Sequence, residues 1–106
     1  MKTYKLKDFF KGWFIGNFEP TLLKTSNFEV AFQTHKKGYK TTDHYHKQSE
    51  EFNCLIHGKL SINGIVFEEG DIFIMEPMEV SKSEILEDCE ILVVRIPSLK
   101  DDKVII

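Results

Sequence analysis

Two histidines one residue apart, His44 and His46, followed closely by the adjacent carboxylates Glu50 and Glu51, are the residues of this chain best suited by type and spacing to do chemistry. On an extended segment side chains alternate with a period of two, so both imidazoles point to the same side. A carboxylate just past a short turn, at the start of the next antiparallel strand, can come back alongside them. The result is a two-histidine, one-carboxylate face of the kind that binds a divalent metal. Such donors suit iron(II), manganese, nickel or zinc, and the absence of neighbouring thiols argues against a soft-metal site. Three protein ligands also leave positions open for water and substrate, as catalytic metal chemistry requires.

Positioning such a face needs strands, and the periodicity is that of strands almost throughout. Phe28, Val30, Phe32 and Thr34 alternate with Glu29, Ala31, Gln33 and His35. The apolar runs Leu60-Ser61-Ile62 and Ile65-Val66-Phe67 flank Asn63-Gly64, whose tolerance of positive φ predicts a tight type I′ hairpin over 60–67. Gly70-Asp71 opens a further run, 72–75, closed by Pro77, and 90–96 forms the last long strand before Pro97. Glu84, Glu87 and Asp88 are expected in a solvated turn between them. The segment 3–11 is the best helical candidate, and no long helix is expected. Short strands joined by Gly, Pro and Asn turns predict an antiparallel sandwich or barrel.

The 106 residues, 42% hydrophobic and 29% charged, suffice for a single domain over 1–106 with one modest core. A net charge of -3 with scattered lysines supplies no basic stripe, so nucleic acid is not an expected partner. Cys54 and Cys89 stand far apart without a CxxC pattern and read as reduced, partly buried residues of a cytoplasmic protein. The cluster Phe9, Phe10, Trp13, Phe14 and Ile15 is broken by Lys11 and Gly12 and reads neither as a signal peptide nor as a membrane span. The apolar ending Val104-Ile105-Ile106 is expected to dock on the barrel or on a second subunit, and Trp13 and Phe14 to lie across a subunit boundary.

The pattern Gly38, His44-x-His46, Glu51, Gly58 resembles the first motif of the cupins, small antiparallel jelly-roll β-barrels. The resemblance implies that all-β fold and a divalent metal held by His44, His46 and Glu51. Glu50 is the alternative carboxylate, and the spacing to Gly58 favours Glu51. The second cupin motif is half present: Gly70 and Pro77 are in place, Met78 or Glu79 stands where a glycine is expected, and Ser81 or Lys82 stands where the fourth, histidine ligand is expected. The whole chain also resembles small single-domain cupins met among genes for sugar-nucleotide and polysaccharide synthesis, through 11–20, His44-Tyr45-His46-Lys47, Ile74-Met75-Glu76-Pro77 and Ile96-Pro97-Ser98. That likeness implies a sugar-like ligand and a homodimer.

Asn53 lies two residues beyond Glu51 and so projects from the same strand face, where its amide can hold a substrate hydroxyl or pack by hydrogen bonding to a neighbouring strand. Alternation allows only Ser81 or Lys82 to look inward, and the cost of burying an unpaired ammonium favours Ser81. His35 and His57 stand alone and read as solvated or hydrogen-bonded histidines. The first functional expectation is a metal-dependent enzyme on a small polyhydroxylated or carbonyl compound, an isomerase or epimerase in which the ion polarises an oxygen and a pocket base moves a proton. An iron(II) dioxygenase is the alternative enzyme. A noncatalytic sugar-binding module is the alternative class, suggested by the missing fourth ligand and the lack of an evident acid–base pair.

Overall fold

The computed structural model describes residues 1–106. Its strands are β1 (Trp13–Ile15), β2 (Glu29–His35), β3 (His44–His46), β4 (Glu50–Ile62), β5 (Ile65–Glu68), β6 (Ile72–Met75), β7 (Ser83–Ile96) and β8 (Lys103–Ile105). The expected hairpin is present: Asn63 and Gly64 both adopt positive φ, and Ile62 and Ile65 are the first paired residues beyond them. In place of a helix over 3–11 there are two single 3₁₀ turns, Leu6–Asp8 and Phe10–Gly12. No helix is long and apolar enough to cross a membrane.

One six-stranded antiparallel sheet runs in the order β1-β2-β7-β4-β5, with β6 also pairing with β4, and a two-stranded sheet joins β3 to β8. The long strands β4 and β7 form its spine, paired from Glu50↔Ile96 to Ile62↔Ser83. Their register slips around His57, and Gly58 sits there at φ +97°, with Asp88 O only 2.2 Å from where a Cβ would stand. Only glycine permits this close crossing, and the bulges let the ribbon bend. Glu84, Glu87 and Asp88 are not in a turn as expected. They belong to β7, because Ser61↔Glu84 and Lys59↔Glu87 continue the ladder past the bulge.

The core is small: Ala31, Leu55, Leu60, Ile62, Ile85, Cys89, Ile91 and Val93, with Trp13, Phe67, Phe73 and Met75 packed against it. Cys89 fills a buried strand position, and both cysteines are free. The C-terminal segment docks on the barrel. Asp102 accepts hydrogen bonds from the backbone N–H of Gln48 (2.9 Å) and Ser49 (3.0 Å), and β8 then pairs His46 with Lys103 and His44 with Ile105. Ile105 and Ile106 themselves stay exposed.

Candidate functional site

The bent sheet and β3 enclose a cavity of about 850 Å³. Register sets its polar end. Glu51 and Asn53 of β4 face inward beside Arg95 and Val93 of β7, and Glu29 of β2 is the partner of Arg95 on the other side. Arg95 is therefore clamped between two carboxylates. Its Nε and Nη2 donate to Glu51 Oε2 at 3.1 and 2.8 Å, and its Nη1 donates to Glu29 Oε2 at 3.1 Å. The indole of Trp13 covers the guanidinium, 4.7 Å from ring centroid to Cζ. That is cation–π distance, so Trp13 faces the cavity at this point.

The surroundings act on each carboxylate differently. Burial alone would push the Glu51 carboxyl up, but the charge and hydrogen bonds of Arg95 hold it below its ordinary value. Glu29 goes the other way: burial raises it more than Arg95 lowers it. His46, only 6% exposed, is pushed down to about 4 by burial and then by the charge of Arg95, against the pull of Glu51 and Asp102. It is neutral at neutral pH. Its Nε2 stands 3.7 Å from Glu51 Oε2 and its Nδ1 3.8 Å from Asp102 Oδ2, too far for hydrogen bonds, and neither nitrogen has a partner.

His44 is held by its neighbours. The backbone groups of His44 and Ser81 bond to each other, and His44 Nδ1 lies 2.7 Å from the Thr42 carbonyl oxygen. A carbonyl can only accept, so Nδ1 carries a proton, and in the neutral form of the ring the lone pair sits on Nε2. Ser81 lines the cavity, whereas Lys82 points outward near Asp43. Asn53 also lines the cavity. It is 5% exposed, and its amide Nδ2 makes no hydrogen bond of good geometry, although the amide lies close enough to the Glu51 carboxylate to help hold that carboxyl down. His35 stacks on Tyr39 at one edge, and His57 lies outside, near Glu69.

His44, His46 and Glu51 meet around a crevice of about 10 Å³, space for no more than one water-sized group. They do not fit a divalent metal as they stand, and no group of three or more His, Cys, Asp or Glu side chains is disposed to hold one. The physical reason is Arg95. The Glu51 oxygen that faces His46 is the one that takes both Arg95 hydrogen bonds, so an ion between them must displace the guanidinium. A dication about 5 Å from a guanidinium is opposed by roughly 6–7 kcal/mol at an effective dielectric of 20.

Arg95, Glu29 and Asp102 were not singled out by the sequence, which points Trp13 to a subunit boundary and not to the site. The signal for Arg95 was present. It shares the parity of Ile91 and Val93 in an otherwise apolar run, which places a charge on the inner face of a buried strand. The role of Asp102 depends on long-range docking of the tail and had no local signature.

No protein-family model matches the sequence, and neither does any curated protein. Solved structures do match. A double-stranded β-helix protein from Klebsiella pneumoniae superposes with a TM-score of 0.70 at 18% identity, covering 98% of this chain and 90% of that one. A cupin protein from Bacteroides fragilis gives 0.58 at 24% identity, covering 70% of each chain. A sugar phosphate isomerase of the cupin superfamily from Silicibacter pomeroyi gives 0.56 at 21% identity, covering 67% of this chain and 51% of that one. At such identities the likeness defines architecture without defining activity. Strand order, the enclosed cavity and these superpositions together establish that the chain has the cupin fold, a double-stranded β-helix.

Proposed function

We propose that the protein binds a small, oxygen-rich, sugar-like molecule in the barrel cavity and that Arg95 supplies there the fixed positive charge otherwise expected of a metal ion. The observation that carries this reading is the double hydrogen bond from Arg95 to the Glu51 oxygen facing His46. A guanidinium fixed by two carboxylates and covered by an indole costs little to organise when a ligand arrives. Asn53 Nδ2 offers a desolvated donor to a ligand oxygen, and Ser81 offers a hydroxyl. A sugar phosphate isomerase among the structures of the same fold is in keeping with a sugar-like ligand.

A second reading, a metal-free isomerase or epimerase, is favoured by one observation. His44 lines the cavity with Nδ1 committed to Thr42 O, which leaves Nε2 as a positioned proton acceptor. Exchange of a ligand carbon-bound hydrogen with deuterated water, lost in His44→Asn, separates this enzyme from a pure binder.

Metal analysis of the purified protein and of Arg95→Gln tests the main reading. The wild type is expected to carry well under one equivalent of any divalent metal. Arg95→Gln, with Glu51 released, is expected to bind nickel or zinc at least about tenfold more tightly. One equivalent of tightly held metal in the wild type, with ligand binding abolished by its removal, overturns the reading.

A further inference from the structure

We infer that the ligand carries a negatively charged group, a carboxylate or a phosphate, seated at the cavity mouth between Lys11, Lys103 and Arg95; this rests on the small-molecule reading above and names the ligand's class. The first argument is charge balance. Four cationic side chains line the cavity, Lys7, Lys11, Arg95 and Lys103, against one carboxylate, Glu51, which Arg95 already engages. None of the three lysines takes part in any of the chain's ion pairs. The protein as a whole carries a formal charge of -3, so this local excess runs against its average.

The second argument is placement. Lys103 is the ladder partner of His46, and directly paired residues of antiparallel strands project to the same side, so it is brought to the inner side of β8. It lies close to other cations: burial, then the charges of Arg95 and Lys11, lower its pKa. Lys11 adopts φ +52°, a left-handed conformation unfavourable for a lysine. The chain is held there because Gln33 Nε2 donates to Lys11 O at 3.0 Å and because Gly12 packs on the Phe32 carbonyl, where a Cβ would lie 2.0 Å from the oxygen. Two lysines without ion-pair partners, brought beside the Arg95 clamp, cost stability, and an anion removes that cost.

The third argument rests on a different group. The buried Asn53 amide faces the same cavity with no well-formed hydrogen bond from its donor, only a poor contact to the Glu51 carboxylate. Buried donors are normally satisfied, so a ligand oxygen is the fitting partner. The ligand thus has an anionic end at the lysines and an acceptor oxygen deeper in the barrel.

The test is titration of the full chain, isotope-labelled for NMR, with D-glucose, D-gluconate and D-glucose 6-phosphate. One or both charged probes are expected to bind at least about tenfold more tightly than glucose, with an affinity that falls as salt rises. The tighter of the two identifies carboxylate or phosphate as the group. Lys103→Gln and Lys11→Gln are expected to weaken the charged probe several-fold and flatten its salt dependence, whereas Lys24→Gln, paired with Glu19 elsewhere, changes neither. Equal binding of glucose and the charged probes, or charged-probe binding indifferent to both lysine substitutions, overturns the inference and leaves the cavity reading standing. Signals of Asn53 and His44 unmoved by all three probes overturn both.

Discussion

The inner face of the β4–β7 ribbon has two ends that share strands and backbone pairing but differ in chemistry. Past Leu55, the face carries Leu60, Ile62, Ile85 and Ile91, all buried in the core. Before it, the face carries Glu51, Asn53 and Arg95, with Glu29 alongside. The first end is what a small barrel needs to stay folded. The second removes charges and an amide from water without fully compensating them, the pattern of a site maintained for a ligand at some cost to stability.

Truncating the apolar end breaks the comparison most directly. Leu55 is fully buried and does not line the binding cavity, and Leu55→Ala removes buried surface and leaves a void that neighbouring strands cannot close. Urea unfolding is expected to show a loss of about 3–4 kcal/mol, a large part of the 5–15 kcal/mol typical of a domain. The shape of the polar end is expected to survive, so probe binding measured below the transition should change little. Loss of binding without loss of stability contradicts the separation of the two ends.

Acid is expected to act on the polar end. His46 has a pKa of about 4 in the fold against 6.5 when unperturbed. Between those values the unfolded chain binds a proton that the folded chain does not, so stability falls as pH drops from 6.5 towards 4. The loss is on the order of 2–3 kcal/mol, and His46→Gln should remove that step from a stability–pH curve. At lower pH, below the ordinary carboxylate range, the lowered Glu51 and Asp102 add further losses, whereas the raised Glu29 takes up its proton in the fold above that range and offsets part of the His46 step. A stability–pH curve left unchanged by His46→Gln between pH 6.5 and 4 contradicts the burial of a neutral His46.

Glu51→Gln comes next. It removes one of the two charges that fix Arg95, leaving Glu29 alone. The pair is partly exposed, 19% and 17% by side chain, so the full penalty for an orphaned buried charge is discounted to about 2 kcal/mol. Replacing both partners, with Glu51→Met and Arg95→Met together, is expected to cost less than the sum of the single changes, because no charge is left alone. Chemical denaturation of the four species gives the coupling, and strict additivity counts against the clamp.

These differences also show what could be read from residues alone. Local rules sufficed for the turn at Asn63-Gly64, the strand 72–75 and the all-β architecture, because each depends on positive φ or on period-two alternation within a few residues. The bulge at Gly58 hid the true length of β7, since one extra residue inverts the alternation and makes 84–88 look like a solvated turn. At the site, spacing placed His44, His46 and Glu51 near one another, but could not reveal that Arg95, 44 positions beyond Glu51, would take its carboxylate. That depends on the β4–β7 register. Trp13 turns onto Arg95, and the most exposed apolar strand residues lie elsewhere, at Ile72 and Ile65.

The smallest expected effect is also the sharpest test of the comparison. Asn53 is directly paired with Val93 on β7 and Phe73 on β6, and its Nδ2 is buried without a well-formed hydrogen bond. A buried amide with only a poorly formed contact to the Glu51 carboxylate recovers little of its lost hydration in the empty barrel. Asn53→Leu keeps a similar shape and removes that cost, so the variant is expected to be more stable than wild type by about 0.5–1 kcal/mol. The same change is expected to weaken the best-binding sugar probe by about tenfold, since one desolvated hydrogen bond to the ligand is lost. Thermal unfolding and titration of one variant thus have opposite expected signs. A destabilised variant means that Asn53 has a structural partner, and a stabilised one with unchanged binding means that the ligand does not reach it. Only stability gained together with affinity lost fits an amide kept for a ligand.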